Sequence, residues 1–234
     1  MALPKLNDVP MYSMIVPSTK KEFKYRPFLV REQKVLLLAY ESQDRTQIIN
    51  AILECINSCT NGEIDSNKLP MFDIDYIFTQ IRTKSVGEKA ELNLRCNKCD
   101  EMTPFTVDLS QISIPEVQSK TPLIELTEDI KVQMRYPTYK DVMSNTTSTE
   151  DKEFAIKFVL SCIQSVQTPE ENIDLKDETL EEKTKFIESL TNEQFEKINK
   201  FVNDIPKLTQ TINVKCEKCG EQNSRVMEGV ENFF

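Results

Sequence analysis

Two ten-residue stretches decide the fold: LNLRCNKCDE at residues 92–101 and INVKCEKCGE at residues 212–221. They begin 120 residues apart and share one order of residue types: apolar, Asn, apolar, basic, Cys, any residue, Lys, Cys and a turn residue. A strand that alternates its side chains and then enters a tight turn has this pattern. Each copy therefore predicts a strand, a Cys-x-x-Cys turn, which we call a knuckle, and a return strand.

The two knuckles supply four cysteines with the spacing of a metal site: Cys96, Cys99, Cys216 and Cys219. Two thiolates separated by two residues can face one ion when the chain turns between them. Four thiolates complete a tetrahedral shell with no open position, which is typical of a structural zinc rather than a catalytic one. The sequence therefore predicts one structural zinc ion per chain.

The residues around the cysteines fit this prediction. The residue after the second cysteine of such a turn often needs a positive φ, which Gly220 adopts freely and Asp100 adopts more easily than most residues. Four thiolates around a divalent ion leave a net charge of about −2. We expect Lys98, and Lys215 or Lys218, to offset that charge.

Three other interpretations of the four cysteines stay open. A redox Cys-x-x-Cys pair usually occurs singly and at a helix N-terminus. An iron–sulfur cluster also takes four thiolates. Four unligated thiols would explain neither the repeat nor the nearby lysines. The paired knuckles favour zinc over each of these alternatives.

Composition excludes several classes of function. The chain has 234 residues, enough for one large domain or two small ones, and its formal net charge is −9 with a pI near 4.8. An acidic surface repels phosphate, so wide nucleic-acid binding is not expected. The chain has no His and only four Gly, so it lacks the commonest general base and the glycine-rich loops that bind phosphate.

Its hydropathy predicts a soluble globular protein with no membrane partner. Apolar residues make up 39% and charged residues 29% of the chain, and no apolar run reaches about 18 residues. The first residues lack a basic start followed by an apolar stretch, so we expect no secretory signal and a reducing cytoplasm.

The alternation of strand and helix patterns predicts an α+β fold in three parts. Residues 1–86 are expected to form an N-terminal β-hairpin followed by helices. Residues 87–136 and 207–234 are expected to form the β region of a zinc ribbon. Residues 137–206 are expected to form a helical insert between the knuckles.

Finer patterns are predicted within these parts. One helix is expected to have an apolar face of Val35, Leu36, Leu38 and Ala39. Asp44 is expected to cap the next helix, and Thr191 with Gln194 a later one. In the insert, apolar residues at 154–166 predict one continuous helix, and the acidic residues 168–177 predict an exposed loop.

The remaining candidate residues have simpler interpretations. Cys55 and Cys59 share a helix face without a second pair nearby, so packing is expected for them, as it is for Cys162. Asp73 and Asp75 do not face each other on a helix, so they indicate charge at a helix start rather than a catalytic pair. No motif places a nucleophile beside a base, and we expect no enzyme activity.

The chain ends on two aromatic residues, Phe233 and Phe234, after an acidic stretch. Such rings either fold back on the core or bind a partner. Both possibilities stay open at this stage, and the second makes these residues the candidate partner-binding site.

Several segments together show a resemblance that spans nearly the whole chain. They are Leu3–Leu6, Val16–Lys20 with Tyr25–Phe28, Asp75–Cys99, Leu190–Phe195, Phe201–Leu208, the second knuckle and the Phe-Phe end. In this order they resemble the baseplate hub assembly proteins of T-even-type contractile-tailed bacteriophages. Only the knuckles are specific by themselves.

The resemblance implies a viral protein that helps to assemble the central hub of the tail baseplate. It implies hub or tape-measure proteins as partners and a chaperone-like role in the cytoplasm of the bacterial host. The family offers no catalytic residues to transfer. The alternative is a structural subunit that is retained in the virion baseplate. The sequence does not distinguish between these two roles.

Two further functions belong to other classes. The basic residues of the knuckles would suit a zinc-ribbon nucleic-acid binder, but the acidic net charge opposes it. An enzyme would need a catalytic motif, which the sequence does not show.

Overall fold

The computed structural model describes residues 9–112, 114–117, 121–145 and 151–229. Helices and antiparallel sheets occur together, so the predicted α+β class is confirmed. The chain divides into two compact units, residues 1–117 with 206–234 and residues 118–205. These two units do not have the same boundaries as the three parts predicted from the sequence, and that three-part division stays a prediction. No helix in the described ranges has the length and apolarity needed to cross a membrane.

The first unit begins with the predicted β-hairpin. Strand β1 (Tyr12–Ile15) pairs antiparallel with β2 (Glu22–Tyr25). Lys20 adopts a φ of 56° in the connecting turn. A residue in this left-handed conformation reverses the chain tightly, which brings the two strands into register.

Three helices follow: α1 (Val30–Glu41), α2 (Arg45–Cys59) and α3 (Met71–Ser85). Asp44 caps α2 as predicted, because its side chain accepts hydrogen bonds from the backbone N–H groups of Thr46 and Gln47. The two later helices supply most of the buried apolar side chains here: Ile49, Ile52, Leu53, Ile56, Phe72, Ile74, Ile77, Phe78 and Ile81.

The predicted apolar face of α1 is wrong in part. Leu36 and Ala39 are buried, but Val35 and Leu38 are exposed. Helix α1 packs on α2 through a narrow face, and that face also carries Glu32, a charged residue that a search for apolar periodicity overlooks. Consecutive residues on a helix lie about 100° apart, so five apolar residues in a row cannot all face the same neighbour.

The two repeats form two hairpins in the same unit. Strand β3 (Lys89–Arg95) pairs with β4 (Met102–Asp108), and β9 (Thr209–Lys215) pairs with β10 (Gln222–Glu228). Each pair is a separate two-stranded antiparallel sheet. Their inward side chains form one apolar cluster with the residues just outside the strands: Ala90, Leu94, Val107, Leu109, Ile112, Leu208 and Ile212. Because the cluster takes residues from both hairpins, it holds the two knuckles near each other.

The second unit is a four-stranded antiparallel sheet with helices. Its strands are β5 (Leu123–Glu125), β6 (Lys131–Met134), β7 (Ile163–Gln167) and β8 (Asn172–Asp174), which lie in that spatial order. Its helices are α4 (Tyr139–Asn145), α5 (Asp151–Ser161), α6 (Leu180–Glu188) and α7 (Asn192–Asn203). The predicted capping box of Thr191 and Gln194 begins α7.

Two element predictions in this unit are wrong. The helix expected to reach Val166 ends at Ser161, and the acidic stretch expected to be a loop contains β8. Strand β7 pairs with β6 on one side and β8 on the other, and its β-branched residues Ile163 and Val166 are buried. This pairing is non-local, so the short apolar run alone could not distinguish a strand from a helix end.

Candidate metal centre

The fold brings the four predicted cysteines together at the turn ends of the two hairpins. Their four sulfur atoms all lie within 4.8 Å of one another, so they could hold a metal ion. The Sγ atoms of Cys96 and Cys219 are 3.6 Å apart, as are those of Cys99 and Cys216. Metal–sulfur bonds of about 2.3 Å in a tetrahedron require S···S separations of about 3.8 Å. The separations in the structure are close to that requirement.

Each knuckle is formed by the same backbone hydrogen bonds. The N–H of Cys96 donates to the carbonyl of Glu101 at 2.8 Å, and the N–H of Asp100 donates to the carbonyl of Cys96 at 3.1 Å. Cys216 and Gly220 make the equivalent bonds at 2.8 and 3.0 Å. Asp100 and Gly220 have φ values of 58° and 74°, as the sequence predicts. The two copies of the sequence repeat therefore form the same type of turn, and the cysteines of the two turns lie close together.

Ion pairs cross between the knuckles. Lys98 Nζ lies 3.5 Å from Glu221 Oε2, and Lys218 Nζ lies 2.7 Å from Glu101 Oε2. All four side chains are well exposed, so each pair contributes little stability by itself. Their reciprocal arrangement links the two turns at the rim of the site. The lysines thus pair with glutamates of the opposite knuckle, a contact that the sequence pattern did not predict.

A buried asparagine breaks the symmetry of the site. Asn223 lies on β10, where its Oδ1 accepts the backbone N–H of Asn97 at 2.9 Å and its Nδ2 lies 3.6 Å from Cys96 Sγ. One side chain of the second hairpin thus holds both the backbone and a sulfur of the first knuckle. The matching position of the first hairpin, 120 residues earlier, is Thr103.

Thr103 makes no equivalent contact. Its side chain is buried, and its Oγ1 has no hydrogen-bond partner within the described part of the chain. Sequence reasoning missed Asn223 because the alignment of the repeats stopped at residue 221. Extending it by two residues would have shown a polar side chain at an inward-facing strand position.

Hydrogen bonds also shift the pKa values of the thiols in the cluster. The backbone N–H of Lys98 donates to Cys96 Sγ at 3.4 Å and lowers the pKa of that thiol to about 6. The backbone N–H of Cys219 likewise lowers the pKa of Cys216. At Cys99 a backbone N–H from Glu101 favours the thiolate, but burial and the neighbouring sulfurs outweigh it and raise the pKa to about 12. Each knuckle therefore has one thiol with a lowered pKa, and a bound divalent ion would replace the protons of the thiols that remain protonated.

The other three cysteines are not part of this cluster. Cys55 and Cys59 are buried one turn apart on α2, with their Sγ atoms 4.0 Å apart. Cys162 is buried in the apolar core of the second unit, where burial raises the pKa of its thiol to about 12. The packing role predicted for these three cysteines stays a prediction, and their burial is consistent with it.

A buried ion pair lies beside Cys59, whose Sγ is 3.8 Å from Arg26 Nη1. Arg26 Nη2 lies 2.8 Å from Glu32 Oε1, and both side chains are almost fully buried. Glu32 also accepts the backbone N–H of Leu29 at the start of α1. Although burial opposes ionisation, the bonds from Arg26 and Arg31 lower the pKa of Glu32 to about 2. The pair joins the strand end to two helices, and no local sequence pattern identifies it.

Asp73 lies in the first turn of α3, as predicted, and Asp75 lies two residues further along the helix. Both side chains are buried. The Asp73 carboxylate accepts hydrogen bonds from the backbone N–H and the hydroxyl of Ser18, which ties the β1–β2 turn to α3. Burial outweighs these bonds and raises the pKa of Asp73 to about 6. This carboxylate therefore has a structural role. The predicted partner-binding residues Phe233 and Phe234 lie outside the described residues.

Comparison with known proteins assigns the chain to a family. Residues 9–234 match the family described as T4 bacteriophage base plate protein. The baseplate hub assembly protein gp26 of Enterobacteria phage T4 is 24% identical to the chain over 225 residues, which cover 95% of this chain and 97% of that protein. No solved structure matches the chain. The resemblance seen in the sequence is thereby confirmed, and the chain belongs to the family of T4 bacteriophage base plate proteins.

Proposed function

We propose that this chain is a non-enzymatic assembly protein of the phage tail baseplate hub, acting as a chaperone for hub or tape-measure components. One observation carries the proposal: a relative named as a baseplate hub assembly protein aligns with nearly the full length of both chains. Because the alignment covers 95% of this chain and 97% of that protein, the similarity does not rest on one short shared module.

We propose that the knuckles form a zinc ribbon around one structural zinc ion bound by Cys96, Cys99, Cys216 and Cys219. Four soft sulfur ligands in a tetrahedral arrangement suit zinc. They leave no position for a substrate or an activated water, so the ion would stabilise the fold and perform no chemistry. The ion would join two segments that lie 120 residues apart in the chain.

The sulfur geometry supports zinc over the alternatives. A redox Cys-x-x-Cys pair forms its bond within one motif, whereas the S···S contacts of 3.6 Å join cysteines of different knuckles. An iron–sulfur cluster places several metal atoms between its ligands, whereas four sulfurs within 4.8 Å of one another leave room for a single ion.

We also propose that Phe233 and Phe234 form a partner contact. Reversible recognition of a partner usually depends on a few large apolar side chains with a charged surround, and these two rings follow acidic residues at the chain end. Deleting both residues should leave zinc content and the melting temperature unchanged while co-purification with hub or tape-measure proteins falls. If the deletion lowers the melting temperature instead, the rings belong to the protein's own core.

The proposed site of action is the cytoplasm of the infected bacterium, where tails are assembled. A chaperone should occur in complexes from infected cells and be missing from finished particles. Quantitative mass spectrometry of purified virions tests this difference. A stoichiometric amount of the protein in virions would replace the chaperone role with that of a structural baseplate subunit and would leave the zinc site unaffected.

A further inference from the structure

The four cysteines of the metal centre are not equally covered by the protein. Cys96 and Cys216, the first cysteine of each knuckle, are each 1% exposed, and Cys99 is half-buried. All seven cysteines of the chain lie within the described ranges, and Cys219 alone is exposed. A small molecule in solution therefore reaches the centre most easily at Cys219.

The two turns differ in the residue that follows the second cysteine. Asp100 follows Cys99, whereas Gly220 follows Cys219, and both have a positive φ, so the two backbones take the same course. A β-carbon added at Gly220 would meet Lys215 Cε at 3.9 Å, an ordinary contact. The second knuckle is therefore open where the first one carries the Asp100 side chain.

A second difference lies on the strands behind the turns. Asn223 is buried, and its Nδ2 lies 3.6 Å from Cys96 Sγ, so a side chain of the second hairpin holds the first knuckle. Thr103 occupies the matching position, but its hydroxyl has no partner among the described residues. The second knuckle is thus both more exposed and held by fewer side-chain contacts.

These features indicate which class of molecule would react at the centre. Sulfurs that bind a metal ion are thiolates, and an exposed thiolate beside a second cysteine is the arrangement that peroxides oxidise. Cys96 Sγ lies 3.6 Å from Cys219 Sγ and supplies that second cysteine. Hydrogen peroxide is small and uncharged, so the net charge of −9 does not repel it.

We propose that Cys219 is the site at which a peroxide reacts with the metal centre, and that the product is a disulfide between Cys219 and Cys96. This inference rests on the proposed metal site, because it concerns the thiolates that would hold the ion. It adds a site of chemical modification, which the assembly role does not require.

The reaction has two steps. The Cys219 thiolate attacks one oxygen of hydrogen peroxide, so an S–O bond forms, the O–O bond breaks and hydroxide leaves. The Cys96 thiolate then attacks the sulfur of this sulfenic acid, so an S–S bond forms, the S–O bond breaks and a second hydroxide leaves. Two thiolates lose two electrons, one peroxide gains them, and both hydroxides take up protons from the solvent.

The position of the disulfide decides what happens to the fold. The centre would keep only two of its four ligands, so it would release the ion. The new bond would nevertheless join the same two knuckles, which lie 120 residues apart in the chain. Oxidation within one Cys-x-x-Cys motif would instead leave the two hairpins without a link. The proposed product therefore replaces a metal cross-link by a covalent one.

Peroxide titration of the purified, zinc-loaded protein tests the proposal. Hydrogen peroxide would be added in small steps, released zinc would be followed with a chromogenic chelator, and the remaining thiols would be alkylated and mapped by mass spectrometry. We expect one disulfide between Cys96 and Cys219 for each zinc ion released, while Cys99 and Cys216 are still alkylated. Any other first product, zinc retained beside the disulfide, or no reaction in excess peroxide would overturn the proposal.

Exchanging the turn residues tests the role of exposure without changing a ligand. Gly220→Asp copies the first knuckle and should slow zinc release by peroxide at least about threefold. Gly62→Asp is the matched control, since Gly62 has a φ of 76° in another turn, and its rate should be unchanged. Asp100→Gly copies the second knuckle and should make Cys99 react as well. If Gly220→Asp fails to hold zinc, Asp100→Gly decides alone; an unchanged reaction in either zinc-loaded variant would overturn the argument from exposure.

The two proposals fail in different ways. If the purified protein holds no zinc, the proposed metal site is wrong. If it holds zinc and peroxide gives a different first product, the metal site stands and Cys219 is not the site of attack.

Discussion

Replacing Asn223 with Ala should weaken metal binding without removing any metal ligand. The side chain donates towards Cys96 Sγ and accepts the backbone N–H of Asn97, so its loss removes one bond to a ligand and one that fixes the turn. Removing a hydrogen bond that orients a ligand typically costs 10- to 100-fold in metal affinity. At about 1.4 kcal/mol per tenfold, the expected loss is about 1.4–2.8 kcal/mol.

A second effect should appear even without metal. The backbone N–H of Asn97 loses its protein acceptor, and because Asn97 is exposed and water can replace that acceptor, the expected cost is that of one ordinary hydrogen bond, about 0.5–1.5 kcal/mol. The variant protein should therefore unfold at a lower urea concentration both with and without the ion. Metal affinity would be measured by competition with a chelator of known affinity, and stability by urea unfolding.

The structure provides a matched control for this experiment. Thr103 occupies the equivalent position of the other hairpin and is equally buried, but the described residues offer its hydroxyl no partner. Thr103→Ala removes a polar atom that makes no hydrogen bond, so metal affinity should stay within about twofold of the unchanged protein. Equal affinities for Asn223→Ala and the unchanged protein, or equal losses in both variants, would refute the reasoning.

Three further predictions concern stability. Cys96→Ser and Cys216→Ser should each lower the melting temperature by several degrees, at about 2–4 °C per kcal/mol in a protein of this size. Each variant should also expose β3 and β9 to protease, whereas an unchanged melting temperature would show that the site is not structural. Glu32→Gln should lower the free energy of unfolding, measured in urea, by about 3–5 kcal/mol, because it leaves Arg26 charged and buried. This difference should vanish near pH 2. The folded-state pKa of Glu32, about 2, lies below the ordinary 4.5, so the stabilisation by its carboxylate is lost as the pH falls through that value. Asp73 has the opposite pH dependence, because its pKa is raised from 3.8 to about 6 and its contribution to stability is lost as the pH rises through that range. The free energy of unfolding of Asp73→Asn should therefore be about 1–2 kcal/mol higher than that of the unchanged protein at pH 7 and equal to it at pH 3. Equal stability of the two proteins at both pH values would contradict this.

The features that the sequence predicted correctly are local. The knuckle turns, the positive φ of Asp100 and Gly220, and the helix caps at Asp44 and Thr191 each depend on a few neighbouring residues. The convergence of the four cysteines is the exception, because it joins distant segments. It was predictable because each copy of the repeat supplies two cysteines, and a tetrahedral metal site needs four.

The features that the sequence did not predict depend on distant partners. Strand β7 exists because β6 and β8 flank it, and the side of α1 that is buried was decided by α2. The Arg26–Glu32 pair and the contact of Asn223 with the first knuckle likewise join residues that no short window contains. Single-sequence patterns report periodicity, and periodicity does not say which neighbour will cover a face.

The metal content of the purified protein tests the central claim most directly. The protein would be expressed in minimal medium with zinc and iron both present, purified under reducing conditions without added metal, and analysed for elements against protein concentration. We predict one zinc per chain, and none in a variant with all four knuckle cysteines replaced by serine. Iron in place of zinc, or no metal in protein whose four thiols remain reduced, would contradict the account.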